Sequence, residues 1–385
     1  MRTKTTSICF LSLTLIGLSA CRTDIIPTPA TPNQVDSAST SGMSGFYLLN
    51  EGNMGSNKCT LDFFDYTRGT YITNIFPSVN PQVVKELGDV GNDLQIYGNR
   101  LYAVINCSNM IEVMDVRNAR HIGTITIPNC RYLAFADGKG YISSYAGEQT
   151  IDPNARLGYV AEFDTATLQI TREVTVGYQP EEMTIVASKL YVANSGGYRV
   201  PNYDNRVSVV DLKTFTLMQN MDVAINLHRL RQDAHGNIYV TSRGDYNGIG
   251  ANTYIIDSQT NSVCDSLGFA ANNLCICGDS LYAIGVQWNA ATGKNDISYT
   301  LYDIGKHKKI VGGFITDGSD SRIELPYGIA VNPTTREFIV TDAKNYVTPG
   351  TIYYYNADGT LKWEATTGDI PAHIAFVNQP TCIQL

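Results

Sequence analysis

Aromatic, arginine and amide side chains recur in loops that follow short apolar strands along this chain. The aromatic and arginine members of this set are Tyr145, Tyr198, Tyr203, Tyr246, Trp288, Tyr346, Arg156, Arg199 and Arg243. Flat rings pack against the apolar faces of a broad ligand, whereas arginine and asparagine groups form hydrogen bonds with its polar rim. The combination predicts non-covalent binding of a ligand.

The sequence offers little that points to catalysis. Its five histidines are scattered along the chain, and no Ser-His-Asp set, phosphate-binding loop or pair of acids stands out. No pair of cysteines and histidines has the spacing of a metal site. We therefore predict that the protein is not an enzyme, and we predict neither a metal nor a cofactor for it.

The binding loops belong to a repeat, which fixes the fold. A strand of apolar–Tyr–apolar type or a close variant recurs seven times: Phe46-Tyr47-Leu48, Leu101-Tyr102-Ala103, Gly140-Tyr141-Ile142, Leu190-Tyr191-Val192, Ile238-Tyr239-Val240, Leu281-Tyr282-Ala283 and Phe338-Ile339-Val340. Copies of four short strands at intervals of roughly 40–55 residues are typical of propeller blades. The sequence predicts an all-β, seven-bladed propeller over residues 46–385.

The two ends of the repeat region are complementary. The strand His373-Ile374-Ala375-Phe376 has no partners after it, and the first repeat lacks its own copy of that strand. We expect the C-terminal strand to complete the N-terminal blade and close the ring, which removes exposed sheet edges. The alternative of two stacked sandwiches predicts no such missing strand.

The first residues of the inner strands are predicted to line the mouth of the central channel. Counting back from each repeat gives Asp93, Arg131, Glu182, Arg229, Asn273, Gly328 and His373. Two arginines in this ring would repel a cation. A metal-dependent, lactonase-like hydrolase with its cation at Glu182, Asn273 and Asp93 nevertheless remains an alternative.

The predicted binding set combines the loops with this mouth. It consists of Asn53, Asn106, Arg131, Tyr145, Arg156, Glu182, Tyr198, Arg199, Tyr203, His228, Arg229, Arg243, Tyr246, Trp288, Tyr327, Tyr346 and His373. The loops on the opposite face are short and plain, so we expect the ligand to bind on one face only.

The N-terminus reads as an export and lipidation signal. Arg2 and Lys4 precede an apolar run from Ile8 to Leu18, and Leu18-Ser19-Ala20-Cys21 matches a lipoprotein processing box. We predict a signal peptide over residues 1–20, lipidation of Cys21 and a flexible linker over residues 21–45. The residue after the cysteine is arginine and not aspartate, which favours the outer membrane, and the family resemblance given below implies exposure at the cell surface.

Charge and cysteine content narrow the partners. The formal net charge is −8 and becomes −10 once Arg2 and Lys4 leave with the signal, which argues against nucleic acid as a partner. Without Cys9 and Cys21, seven of the nine cysteines remain, so at least one has no partner within the chain. We predict that Cys107 and Cys130, which reach the same face, form a disulfide.

The clearest copy of the repeat is Gln179-Pro180-Glu181-Glu182-Met183 followed by Leu190-Tyr191-Val192-Ala193-Asn194. It resembles YncE-like propellers. The opening segment from Phe46 to Asn57, on a surface lipoprotein, resembles the cobalamin-binding propeller lipoproteins of Bacteroidetes, the BtuG family. That resemblance implies capture of cobalamin and related corrinoids and their transfer to a TonB-dependent, BtuB-like outer-membrane transporter. Binding of a glycan or of a protein partner is the other alternative.

Overall fold

The seven repeats each form one antiparallel sheet in the computed structural model, which describes residues 28–39, 42–83, 86–289 and 291–384. Blade 1 contains β1 (Thr31–Gln34), β2 (Gly45–Asn50), β3 (Thr60–Asp65), β4 (Thr70–Thr73) and, from the other end of the chain, β29 (Pro371–Val377). Blade 2 contains β5 (Gly91–Tyr97), β6 (Arg100–Ile105), β7 (Met110–Asp115) and β8 (His121–Thr126). Blade 3 contains β9 (Cys130–Ala136), β10 (Lys139–Ser144), β11 (Tyr159–Asp164) and β12 (Ile170–Thr175).

The other four blades follow the same order. Blade 4 contains β13 (Pro180–Val186), β14 (Lys189–Asn194), β15 (Arg206–Asp211) and β16 (Thr216–Asp222). Blade 5 contains β17 (Leu227–Gln232), β18 (Asn237–Ser242), β19 (Asn252–Asp257) and β20 (Ser262–Ser266). Blade 6 contains β21 (Asn273–Cys277), β22 (Ser280–Asn289), β23 (Lys294–Asp303) and β24 (Lys308–Ile310). Blade 7 contains β25 (Pro326–Val331), β26 (Phe338–Asp342), β27 (Pro349–Tyr355) and β28 (Leu361–Asp369). A short helix, α1 (Ile75–Val79), and a 3-10 turn (Ser319–Arg322) lie between blades.

The inner strands form a closed ring. They contact one another in the cyclic order β29, β5, β9, β13, β17, β21, β25 and back to β29. Strand β29 pairs with β2 in antiparallel register, from Gly45 opposite Val377 to Leu49 opposite His373. The seven-bladed propeller and its closure by the C-terminal strand are thus confirmed, and the stacked-sandwich alternative is excluded.

The core lies between neighbouring blades because alternate residues of each strand point to opposite faces of its sheet. The contact between blades 7 and 1, where the chain ends meet, is rich in aromatic rings. Trp363 stacks on Tyr354 with ring centroids 4.9 Å apart, and Phe64 lies 4.8 Å from the same indole. These ring pairs stabilise the junction beyond the area they bury.

The face away from the long loops is held by short turns. Six of the blades end their third strand in an aspartate: Asp65, Asp115, Asp164, Asp211, Asp257 and Asp303. Each accepts a backbone N–H two or three residues later, at 2.7–2.9 Å. Because the aspartate side chain closes each turn within two or three residues, the two strands are joined without a long loop on this face.

Part of the predicted linker is structured. Residues 31–34 form β1, which adds a fifth strand to blade 1 by pairing with β4 from Thr31 opposite Thr73 to Gln34 opposite Thr70. The four-residue strand β4 otherwise leaves an open edge, and Pro32 is tolerated because β1 is itself the new edge strand. The predicted signal peptide and Cys21 lie outside the described residues. Within the described ranges, no helix has the length and apolarity to span a bilayer.

The predicted disulfide is not formed. Both Cys107 and Cys130 are free thiols. Cys130 is buried and its Sγ lies 3.5 Å from the carbonyl oxygen of Met110. Cys107 lies in the loop between β6 and β7, beside the side chain of Asn106. Burial raises the pKa of Cys130 to about 12, so this thiol is unreactive at neutral pH. Sequence position placed both cysteines on one face but did not show that one of them points into the core.

Candidate ligand-binding site

A β-bulge at the start of the inner strand turns two consecutive residues towards the channel mouth in four blades. In blade 4, Pro180 pairs with Asn194 and Met183 pairs with Val192, so Glu181 and Glu182 together oppose Ala193. The corresponding pairs are Arg131 with Tyr132, His228 with Arg229, and Tyr327 with Gly328. A bulge re-aims side chains in this way at functional edges of sheets.

Hydroxyl groups on the second strands hold three of these bulges, and in blade 5 this group is Thr241, which accepts the Arg229 N–H at 3.0 Å. Ser143 accepts a hydrogen bond from the backbone N–H of Tyr132 at 3.1 Å and donates one to the Glu181 carbonyl of the next blade at 2.9 Å. Thr341 accepts from the Gly328 N–H at 2.7 Å and donates to the Pro371 carbonyl at 2.6 Å. Each hydroxyl therefore satisfies a backbone group that the bulge leaves without a ladder partner.

Glu181 is the centre of one buried ion-pair network. Its carboxylate lies 3.2 Å from Arg131 Nη2 and 3.4 Å from Arg243 Nη1, and it accepts hydrogen bonds from Tyr145 at 2.6 Å and Ser195 at 3.3 Å. Burial alone would raise its pKa, but the two arginines outweigh burial and hold the pKa of Glu181 below its usual value. The carboxylate is therefore ionised at neutral pH.

Glu182 forms a second network on the other side of the same bulge. It pairs with Arg231 and lies 3.6 Å from Arg229 Nη1, and it also accepts the Leu230 N–H of blade 5 at 2.8 Å. These arginines outweigh burial and lower the pKa of Glu182. Both acids of the Glu-Glu pair thus tie blade 4 to its neighbours by charge-assisted bonds.

A third cluster joins the two ends of the chain. Glu51, in the loop after β2, accepts a hydrogen bond from Tyr327 Oη at 2.9 Å and lies 3.2 Å from His373 Nε2. The other ring nitrogen of His373 lies 4.0 Å from Asp93. Burial raises the pKa of Asp93, although His373 and the backbone N–H of Leu133 partly oppose this.

The predicted mouth residues form a ring of buried positions, with Gly328 as the one member that has no side chain. Asp93, Arg131, Glu182, Arg229, Asn273 and His373 are all buried at the starts of inner strands, and five of them pair with ionisable side chains around the mouth. Asn273 instead donates to the Tyr327 carbonyl at 3.1 Å. Gly328 has no room for a side chain, because a Cβ there would lie 2.4 Å from the Ala372 oxygen. The ring is a paired network.

An aromatic cleft opens beside the mouth, across the loops of blades 5, 6 and 7. It has a volume of about 730 Å³. Its aromatic rim is formed by Tyr246, Trp288 and Tyr346, which are 76%, 65% and 44% exposed. Its amide and arginine lining includes Asn272, Gln287, Asn295, Asn345 and Arg243. The volume falls in the range of ligand pockets, about 300–1,000 Å³.

Trp288 reaches this cleft on a hairpin and not on a loop. The repeat pattern predicts a long loop over residues 285–296 after the strand Leu281-Tyr282-Ala283, but β22 continues to Asn289 and β23 begins at Lys294, so the pair extends from the ring. Paired strands hold the indole more rigidly than a loop would.

The remaining members of the predicted set do not line the aromatic cleft. Asn106 and Arg156 line a separate cavity of about 530 Å³ over blades 2 and 3. Tyr198 accepts a hydrogen bond from Gln149 at 2.7 Å, and the Arg199 guanidinium lies 3.6 Å from the centre of the Tyr178 ring. Tyr203 is partly exposed, and burial raises its pKa, with smaller effects from Tyr246 and Asp245. Asn53 donates to the Tyr346 carbonyl and so joins the loops of blades 1 and 7.

Three residues of the mouth are missing from the predicted set. They are Tyr132, Glu181 and Glu51. The hydroxyl of Tyr132 shares a hydrogen bond of 3.0 Å with His228 Nε2, whereas Glu181 and Glu51 are the central acids of two of the networks around the mouth. For Tyr132 the available signal was Ser143 near the end of its second strand, because that hydroxyl marks the bulge that turns two consecutive residues inward. Among the described residues, no group of three His, Cys, Asp or Glu side chains is placed to hold a metal ion.

The sequence from residue 44 to 376 matches the family described as Domain of unknown function (DUF5074). The chain belongs to the DUF5074 family. No curated protein sequence matches it. The match spans all seven blades and includes the mouth and the aromatic cleft, so both belong to the DUF5074 domain.

Solved structures with the same fold are distant in sequence. A quinonprotein alcohol dehydrogenase-like protein of Bacteroides thetaiotaomicron is 15% identical with a TM-score of 0.61, covering 88% of this chain and 79% of that one. A hypothetical selenium-binding protein of Sulfolobus tokodaii is 12% identical with a TM-score of 0.63, covering 89% and 96%. Hydrazine synthase of Kuenenia stuttgartiensis is 12% identical with a TM-score of 0.55, covering 70% and 77%. At these identities the likenesses show the fold alone.

Proposed function

We propose that this DUF5074 propeller binds cobalamin and related corrinoids at the cell surface and passes them to a TonB-dependent, BtuB-like outer-membrane transporter. The observation that carries the proposal is the aromatic cleft, with three exposed rings around a polar floor. A corrin is a broad disc with apolar faces and a rim of carboxamides. Rings suit the faces, and the amide and arginine groups suit the rim. The choice of a corrinoid as the ligand comes from the resemblance to the BtuG family.

Isothermal titration with cyanocobalamin and with cobinamide tests the binding. We expect Trp288→Ala to weaken the binding of both by about 1–3 kcal/mol, the range for loss of an aromatic contact in a well-packed site. Met218→Ala is the matched control, because this side chain is also about half exposed (52%) but lies on the outer strand β16. Absence of measurable heat with either corrinoid at micromolar protein would refute the assignment.

We also propose that Cys21 carries the lipid that holds the protein at the outer membrane. The Cys21→Ala variant is expected to appear in the soluble periplasmic fraction and to incorporate no labelled palmitate, because the acylated thiol is the site of attachment. Fractionation of cells that express either form provides the measurement. Continued membrane association together with palmitate labelling in the variant would contradict the lipid anchor.

A further inference from the structure

A small cavity lies where the aromatic cleft meets the channel mouth. Its volume is about 160 Å³, and its polar lining consists of His228, Arg229, Arg243, Asn272, Tyr327 and Tyr346. Arg243, Asn272 and Tyr346 also line the cleft, so the cavity opens from the cleft floor. Among the residues that the structure describes, two arginines and no carboxylate line it.

Arg229 has unused hydrogen-bonding capacity in this cavity. The residue is only 5% exposed, and its Nε is buried with no partner among the described residues. Its contact with Glu182 is 3.6 Å long, which is an ion pair and not a hydrogen bond. A guanidinium carries five N–H donors, and a buried donor without an acceptor is unfavourable. The side chain is therefore poised for an external acceptor.

The groups around Arg229 add positive potential, and the acids that face them already have partners. Arg243 makes a single hydrogen bond of 3.4 Å to Glu181. Burial, together with Arg243 and Arg229, holds the pKa of His228 well below its usual value, so its imidazole is neutral at pH 7. The acids that face these groups are Glu181, Glu182 and Glu51, and each already has at least one hydrogen-bonded or ionic partner.

We infer that this cavity is an oxyanion subsite that takes a phosphate group. Arginine forks match phosphate oxygens in geometry and charge. The inference rests on the proposed function for its physiological ligand. Cobalamin carries a phosphodiester in its nucleotide loop and cobinamide does not, so a corrin in the cleft presents that group to Arg229 in one ligand only. Free inorganic phosphate is the other source of the same chemistry.

Inorganic phosphate tests the cavity without any corrinoid. We expect phosphate to raise the thermal unfolding midpoint of the soluble Cys21→Ala protein above that in chloride of equal ionic strength, and we expect Arg229→Gln to remove this increase. Arg231→Gln is the control, because Arg231 pairs with the same Glu182 carboxylate but does not line the cavity. No stabilisation by phosphate, or equal stabilisation of all three proteins, would overturn the inference.

Titration with the two corrinoids shows whether the cavity takes the phosphodiester of cobalamin or only free inorganic phosphate. In Arg229→Gln we expect the affinity for cyanocobalamin to fall by about tenfold, as for a lost charge-assisted hydrogen bond, and the affinity for cobinamide to change less than about twofold. Equal losses for both ligands would overturn the subsite and leave the proposed function intact. Binding of neither corrinoid to the parent protein would refute the proposed function, and the phosphate result would still decide the subsite. If Arg229→Gln does not fold, the stabilisation by inorganic phosphate is measured instead in Arg243→Gln, whose side chain is 27% exposed, and retention of the full stabilisation there would overturn the subsite.

Discussion

Truncation of the chain after Ile370 is expected to abolish cooperative folding. The deletion removes β29, which supplies the inner strand of blade 1 and contacts the inner strands of blades 7 and 2. It leaves the edge of β2 unpaired and removes Ala372, Ala375 and Val377 from the core. Burial of a Val-sized side chain contributes about 1.5–3 kcal/mol, so the loss of strand and hydrogen bonds is comparable with a whole domain's stability of about 5–15 kcal/mol.

Urea unfolding followed by tryptophan fluorescence measures this effect. A shorter deletion that removes only residues 380–385 is the control, because it leaves β29 and its pairing with β2 intact. We expect that control to unfold in one cooperative transition near the midpoint of the parent. A longer deletion that unfolds with the same midpoint as the control would show that the ring does not depend on this strand.

Replacement of Glu181 by glutamine is expected to destabilise the protein by about 3–5 kcal/mol at pH 7, the loss typical of removing one partner from a buried ion pair. The substitution keeps the shape of the side chain but leaves Arg131 and Arg243 without their shared counter-charge. The matched control is Glu364→Gln, which breaks the exposed pair with Arg322 and should change stability by less than about 1 kcal/mol.

The pH dependence gives the same substitution a second signature. The folded-state pKa of Glu181 is below its ordinary value of 4.5, so its carboxylate stabilises the fold above pH 4.5. That contribution is lost as the pH falls below 4.5 towards the lowered pKa. The difference in unfolding free energy between parent and Glu181→Gln should therefore shrink in acid. A difference that stays constant from pH 7 to pH 3 would contradict the charge network.

The fold was accessible from the sequence because each blade repeats the same local pattern. The apolar–Tyr–apolar strand or its close variant recurs at every blade, the terminal aspartate recurs at six of the seven, and the unpaired strand at His373 predicts the closure of the ring. Periodic patterns of this kind act locally, so counting residues is enough to place them.

The site was only partly accessible because it depends on departures from that pattern. Counting gave one mouth residue per blade, whereas the bulges supply two and bring in Tyr132 and Glu181. Glu51 meets His373 across the ring closure, 322 residues apart, which no local pattern encodes. Strand β1 formed within the proline-rich segment because an edge was available to it, which is tertiary context that composition does not show.

The position of cobalt in crystals of the protein grown with cyanocobalamin tests corrinoid binding in the aromatic cleft most directly. Diffraction data collected at the cobalt absorption edge locate the metal of the corrin without any assumption about its surroundings. We expect one anomalous peak over the aromatic cleft, with the corrin against Trp288, Tyr246 or Tyr346 and the phosphodiester toward Arg229. Crystals that contain no such peak, or a peak on the opposite face of the propeller, would contradict it.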